Sequence, residues 1–144
     1  MGASIIEGTK AAPTCWGDVL ILGLGKSGKA AASYCLNLLG GRVKSVTIAA
    51  GEKNDAALEF AAHCEALGAH VVFDMYTFKD TYDVCIVSPG ISQFSRFYEN
   101  AKAASTEVIS EVEFAWRESP ADSRWVAVTG TNGKTTTTSL ITHI

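Results

Sequence analysis

Two glycine-bounded turns carry most of the chemistry latent in this 144-residue chain. The later one lies in Trp125-Val126-Ala127-Val128-Thr129-Gly130-Thr131-Asn132-Gly133-Lys134-Thr135-Thr136. An apolar, β-prone run enters a short loop, and a Thr- and Ser-rich helical start leaves it, the layout that grips nucleotide phosphates. Gly130, Thr131, Asn132 and Gly133 would offer backbone N–H groups. The helix N-terminus adds its partial positive charge and Lys134 a full one. The Thr135 hydroxyl, with Thr136 beside it, stands where such loops hold Mg²⁺. The general phosphate-loop pattern asks for Gly, four residues, then Gly-Lys-Ser/Thr. Counting back from Gly133 finds Val128 where the first glycine would be, so this loop is a shorter variant.

The earlier turn is Gly23-Leu24-Gly25-Lys26-Ser27-Gly28, between the apolar run Asp18–Leu22 and a helical pattern from Lys29 to about Leu39. In a G-x-G-x-x-G turn the glycines permit a tight bend, close approach of a diphosphate, and close packing of helix on strand. A dinucleotide site would also need an Asp or Glu at the end of the next strand, to hold the ribose hydroxyls. That strand, Val43–Ala49, runs into Ala49-Ala50-Gly51, and the first acid, Glu52, comes three residues late. The NAD reading loses ground. Lys26, Lys29 and Lys134 all fall where phosphates would lie.

Gly130–Thr136 closely resembles the ATP-binding signature of the Mur ligases and folylpolyglutamate synthetases, an ATP-dependent amide-forming family. Asp83-Val84-Cys85-Ile86-Val87 runs into Ser88-Pro89-Gly90-Ile91, which is similar to the family's Ser-Pro-Gly-Ile loop at the uridine pocket. Glu107–Phe114 resembles the short strand and helix that enter its ATPase domain. A Rossmann-like start combined with an Asn-containing ATP loop resembles the branch that adds D-glutamate to UDP-N-acetylmuramoyl-L-alanine in peptidoglycan synthesis. The L-alanine-adding branch usually has His in place of Asn132, and the later-acting branches begin with a different domain.

The resemblance implies that Gly23, Gly25, Lys26, Ser27, Gly28, Ser88, Pro89 and Gly90 bind the UDP end of the substrate. It implies that Gly130–Thr136 bind ATP, that Thr135 ligates Mg²⁺, and that Lys134 is catalytic. The implied reaction passes through an acyl phosphate that the D-glutamate amine resolves. One departure stands out: where the family usually presents Asp-Thr-Arg to the uridine, this chain has Ala49-Ala50-Gly51. The contact then falls to Lys53, Asn54 or backbone groups. Further magnesium ligands and the amino-acid-binding domain are expected beyond Ile144, so the chain is expected to be the front part of a larger enzyme and inactive alone. An L-alanine-adding ligase, a NAD-binding oxidoreductase module and a noncatalytic UDP-sugar-binding module are the other readings.

Composition agrees with a folded enzyme domain. Hydrophobic residues make up 47% and charged residues 19%, and the net charge of −3 supplies no basic field for nucleic acid. Cys15, Cys35, Cys64 and Cys85 are widely spaced, with no C-x-x-C and no histidine pair at ligand spacing; they read as free thiols in a reducing compartment. The first seventeen residues lack the basic start and long apolar run of a signal or anchor. A cytoplasmic monomer without membrane association is expected.

The elements that must position these turns alternate strictly. After Val43–Ala49 come a helix from about Asn54 to Leu67, the strand His70–Phe73, a polar connection, the strand ending at Ser88, a helix near Phe94–Ala104 and a short strand at Val108-Ile109. Such alternation predicts an α/β fold, a Rossmann-like doubly wound parallel sheet, followed by the truncated start of a P-loop ATPase domain. Ligands of such sheets sit at the carboxyl ends of the strands, where both Gly23–Gly28 and Ser88–Ile91 fall. The expected division is a loose leader over 1–17, with Ile5 and Ile6 covering a groove, a UDP-substrate domain over 18–109, and the ATPase start over 110–144. Glu111 and Glu113 point apart on a helix and make no carboxylate pair. His63 and His70 read as surface or capping residues. Phe94 and Phe97 read as packing residues, with a uracil contact the less favoured alternative.

Overall fold

The computed structural model describes residues 2–5, 13–51 and 53–142. The groove contact expected of Ile5 and Ile6 rests on side chains outside the described residues, as does Glu52. The chain opens with a short strand, β1 (Gly2–Ile5). It then forms two compact units, one from Pro13 to Ala115, the other joining the N-terminal strand to the residues from Trp116 onward.

In the first unit, β2 (Gly17–Leu22), α1 (Lys26–Asn37), β3 (Val43–Ala50), α2 (Asp55–Ala66), β4 (His70–Phe73), β5 (Tyr82–Val87), α3 (Arg96–Ala103), β6 (Ser105–Ser110) and the start of α4 (Glu111–Glu118) follow one another. The five strands form one parallel sheet in the order β4-β3-β2-β5-β6. This is the expected Rossmann-like arrangement. α1 begins at Lys26, one turn before the predicted Lys29, because Gly25 rather than Gly28 is the residue that precedes the first helical turn.

The sheet holds because strand periodicity divides an unbroken apolar run between two cores. Val19 and Ile21 pack on one face with Ala31, Ala32 and Cys35 of α1 and Ala61 and Cys64 of α2. Leu20 and Leu22 pack on the other with Phe97 and Ala101 of α3. Leu20, Ile21 and Leu22 are fully buried, and each contributes about 1.5–3 kcal/mol. Three of the four cysteines, Cys35, Cys64 and Cys85, are buried outside any disulfide, and Cys15 is exposed. At the amino edge, the Asp83 carboxylate accepts the Asp18 N–H at 2.8 Å. The Asp18 carboxylate accepts from Lys44 at 2.8 Å and from the Ser45 hydroxyl at 2.6 Å.

Phe114 ties the start of α4 to the first compact unit. It is 3% exposed, with its ring 5.0 Å from Trp16 and 5.7 Å from Tyr34, both edge-on. The first part of α4 therefore belongs with the sheet, and the compact units part after Ala115. The second unit contains β7 (Val126–Thr129) and α5 (Lys134–Ile141). β1 pairs antiparallel with β7, Gly2 opposite Thr129 and Ile5 opposite Val126. The stretch read as a loose leader thus supplies a strand; four residues are too short a run to announce one without the partner. Among the described residues no helix is long and apolar enough to cross a membrane.

Candidate functional site

The sheet order reverses between β2 and β5, because the chain proceeds outward from β2 through β3 to β4 and then returns to β5 on the other side. A crevice opens at such a point, outside the carboxyl ends of the strands. Register aligns its walls. Leu22 lies beside Ala49 in β3 and Val87 in β5, so Gly23, Ala50 and Ser88 follow at one edge.

Three hydrogen bonds lock that edge. Gly23 N–H donates to the Ala49 carbonyl at 2.8 Å and Ser88 N–H to the Leu22 carbonyl at 3.0 Å. The buried Ser88 hydroxyl donates to the Gly23 carbonyl at 3.3 Å. The glycines divide the work among them. Gly23 has φ +94, in the left-handed region that glycine favours, and a Cβ there would lie 3.2 Å from Ser88 Cβ. At Gly28 a Cβ would fall 2.1 Å from the Gly23 carbonyl oxygen and 2.6 Å from Ser88 Oγ, so only glycine lets α1 come this close. At exposed Gly25 a Cβ would meet nothing within 4 Å, which leaves the turn open to a ligand.

Gly25 also precedes the first turn of α1, which has neither a side-chain cap nor an acid. The leading N–H groups of that helix are suited to an anion. Lys26 is exposed and Ser27 half-buried at the same end, and Pro89 and Gly90 lie exposed just past Ser88. Lys29 departs from its expected place. Its ammonium donates to the Ala56 carbonyl at 3.4 Å and stands 5.0 Å from the Phe60 ring centroid, so it ties α1 to α2 instead of facing a phosphate. Position 29 lies beyond the first turn, on the side where α2 packs.

The end of β3 offers no acid. Ala49 and Ala50 are buried, and Gly51 is open. Asn54 spends its side-chain oxygen on capping α2, accepting Ala57 N–H at 2.9 Å. A cleft of about 300 Å³ runs along the ends of β5 and β6, lined by Ser88, Pro89, Ile91, Tyr98, Ser110 and Glu111. The sequence reading gives Ser110 no role and dismisses Glu111 as half of a carboxylate pair; the signal for both lies in register, Val87 beside Ser110. A larger hollow, about 470 Å³, opens at the amino edge beside Asp18 and Tyr82. Size alone does not make it the site, since it lacks the glycine turn and helix N-terminus that hold anions. Phe97 is buried against Tyr76 and Phe78, whereas Phe94 is 84% exposed.

In the second unit, Val126–Thr129, the loop and α5 make the expected strand–loop–helix. Gly130 (φ +152) and Gly133 (φ +77) adopt left-handed backbone that a side chain would strain, and Gly133 directly precedes α5. The Lys134 ammonium reaches back to the Gly130 carbonyl, closing the loop on itself. Thr131, Asn132, Thr135 and Thr136 are exposed around it. Among the described residues no cluster of His, Cys, Asp or Glu is arranged to hold a metal, so a cation here would rely on the Thr135 hydroxyl and on phosphate oxygens.

No family model matches the chain. Curated relatives do. The chain is 38% identical over 128 residues to the UDP-N-acetylmuramoylalanine–D-glutamate ligase of Gloeobacter violaceus, a match covering 88% of this chain and 28% of that protein. It is 38% identical over 124 residues to the ligase of the same name from Thermobifida fusca, covering 85% and 26%. It is 40% identical over 124 residues to that from Frankia casuarinae, covering 85% and 25%. The chain spans about a quarter of the length of these relatives. Matches this wide include Gly23–Gly28 and Ser88–Gly90 wherever they begin.

Proposed function

We propose that this chain, homologous over most of its length to the UDP-N-acetylmuramoylalanine–D-glutamate ligases, is the nucleotide-substrate end and ATP-loop start of such an ATP-dependent amide ligase. The observation that carries the reading is the joined pair of segments at the switch point: a glycine turn locked by Ser88 to the loop after β5, with no acid at the end of β3. A NAD-type ribose clamp lacks its acid there, while a diphosphate still finds open Gly25 and the uncapped start of α1.

Gly23, Gly25, Lys26, Ser27 and Gly28, with Ser88, Pro89 and Gly90, would bind the UDP end of UDP-N-acetylmuramoyl-L-alanine. Gly130–Gly133 would donate N–H groups to ATP, with Thr136 alongside. Lys134 would exchange the Gly130 carbonyl for β/γ-phosphate oxygens and neutralise their charge. The donors present fit Mg²⁺ in part, the Thr135 hydroxyl being the one ligand this stretch supplies; the ion, when bound, neutralises phosphate charge. In the reaction the substrate carboxylate attacks the γ-phosphorus and ADP leaves. The D-glutamate amine then displaces phosphate from the acyl phosphate, forming the amide and losing a proton. Phosphoryl transfer depends on positioning and charge neutralisation more than on covalent help from protein, which suits a site of N–H groups and one lysine.

We further propose a cytoplasmic monomer, the division into UDP and ATP domains, and no turnover by these 144 residues alone. The test is D-glutamate-dependent phosphate release from ATP, with UDP-N-acetylmuramoyl-L-alanine, by a polypeptide of the length its relatives have. Release that needs both co-substrates supports the proposal. Release indifferent to D-glutamate, or none, counts against it.

A further inference from the structure

The end of β3 poses a problem that the proposed function leaves open. An acid there would accept hydrogen bonds from a ribose or a base, and this chain has buried Ala49 and Ala50 instead. Lys53, Asn54 and backbone groups were the alternatives in the sequence, and the structure separates them. The side-chain oxygen of Asn54 is committed as the cap of α2 through Ala57 N–H. The Ala49 carbonyl is committed to Gly23 N–H. Lys53 remains. It is exposed, and its ammonium stands 5.9 Å from the centroid of the Phe73 ring.

Phe73 closes β4 directly beside Ala50, so the lysine stands over the carboxyl edge of the sheet. The glycine turn lies on the other side of β3 at the same edge, one hydrogen bond from Ala49. Between them Gly51 leaves open space, since a Cβ there would meet nothing within 4 Å. A diphosphate on the glycine turn would extend its nucleoside toward this gap, as ligands of such sheets do.

We infer that Lys53 is the residue that recognises the nucleoside end of a uridine diphosphate ligand, donating from its ammonium to acceptor oxygens of the ribose or uracil. The polarity of the usual contact is thereby reversed: a donor on the protein replaces an acceptor. Uracil O2 and O4 and the ribose oxygens all accept hydrogen bonds, so the exchange needs no change of ligand. The Phe73 ring holds the ammonium at this edge of the sheet without neutralising it. This inference rests on the UDP reading of the first unit.

The test is calorimetric titration of the chain, unsubstituted and as Lys53→Met and Lys53→Arg, with UDP, CDP and pyrophosphate. Lys53→Met should weaken UDP about 5–10-fold, as expected for loss of one charge-assisted hydrogen bond. Pyrophosphate affinity and the melting temperature should stay unchanged, and Lys53→Arg should restore most of the UDP affinity. CDP locates the contact: discrimination against CDP that vanishes in Lys53→Met assigns uracil O4, and an equal loss for both nucleotides assigns a ribose or O2 oxygen. Unchanged UDP affinity, or an equal loss for UDP and pyrophosphate, would overturn the inference. Failure of UDP to bind the unsubstituted chain while pyrophosphate binds would remove the uridine reading itself, and this inference with it.

Discussion

The Ser88 hydroxyl donates to the Gly23 carbonyl, joining residues 65 positions apart at the point where the sheet order reverses. Gly28 packs against the same pair, so one serine and two glycines form a single junction. That junction separates what the glycine turn does for the fold from what it does for a ligand.

Gly28→Ala and Gly25→Ala should therefore fail differently. The added methyl at 28 meets backbone at 2.1 Å and must move α1, at a cost of about 1–3 kcal/mol. At 25 it meets open space, and φ −67 suits alanine. Thermal melting should fall for Gly28→Ala and hold for Gly25→Ala, while UDP binding weakens by roughly tenfold or more in Gly25→Ala. Equal melting temperatures would contradict this division.

Lys134 is exposed, and among the described residues its ammonium reaches a carbonyl of its own loop. Lys134→Ala should leave melting unchanged and weaken ATP binding by about 10–100-fold, the range for a charge-assisted contact. In a polypeptide of the relatives' length it should nearly abolish turnover. Near-normal turnover would sink the role given to this lysine.

Helix caps offer a stability check independent of any ligand. Asn54→Ala removes the acceptor for Ala57 N–H, and Ser95→Ala the acceptor for Tyr98 N–H. Each should cost about 1 kcal/mol in denaturant unfolding. Gly at either position should cost less.

Acid should find Asp18. Hydrogen bonds from Lys44 and Ser45, opposed weakly by burial, hold its carboxyl below its ordinary 3.8. The folded value is thus the lower one, so the stabilisation is present above pH 3.8 and is lost as pH falls through the folded value. Asp18→Asn should flatten the stability–pH curve in that range and leave its shape near neutrality unchanged. A curve identical to that of the unsubstituted chain would refute the assignment.

The thiols give a further test. Burial pushes Cys85 up to about 12 and raises Cys64 as well. At pH 8 a thiol reagent should label exposed Cys15 quickly, and the other three cysteines only on unfolding. Rapid labelling of Cys85 in the folded chain would contradict the packing of β5.

Much of this was legible in the residues because local chemistry and fold agree. The unbroken apolar runs of β2 and β5 require cover on both faces, which dictates a parallel sheet with crossover helices. Glycine spacing marked both turns. What escaped depends on partners distant in sequence. β1 exists through its pairing with β7, and Phe114 joins the first compact unit by meeting Trp16 and Tyr34. Lys29 and the side-chain oxygen of Asn54 looked available to a ligand until α2 claimed them.

The most direct test of the central claim is calorimetric titration of the chain with UDP-N-acetylmuramoyl-L-alanine, with UDP and NADH in parallel. The account predicts binding of the muramoyl nucleotide and of UDP, with no heat from NADH. Binding of NADH without either uridine ligand would contradict it.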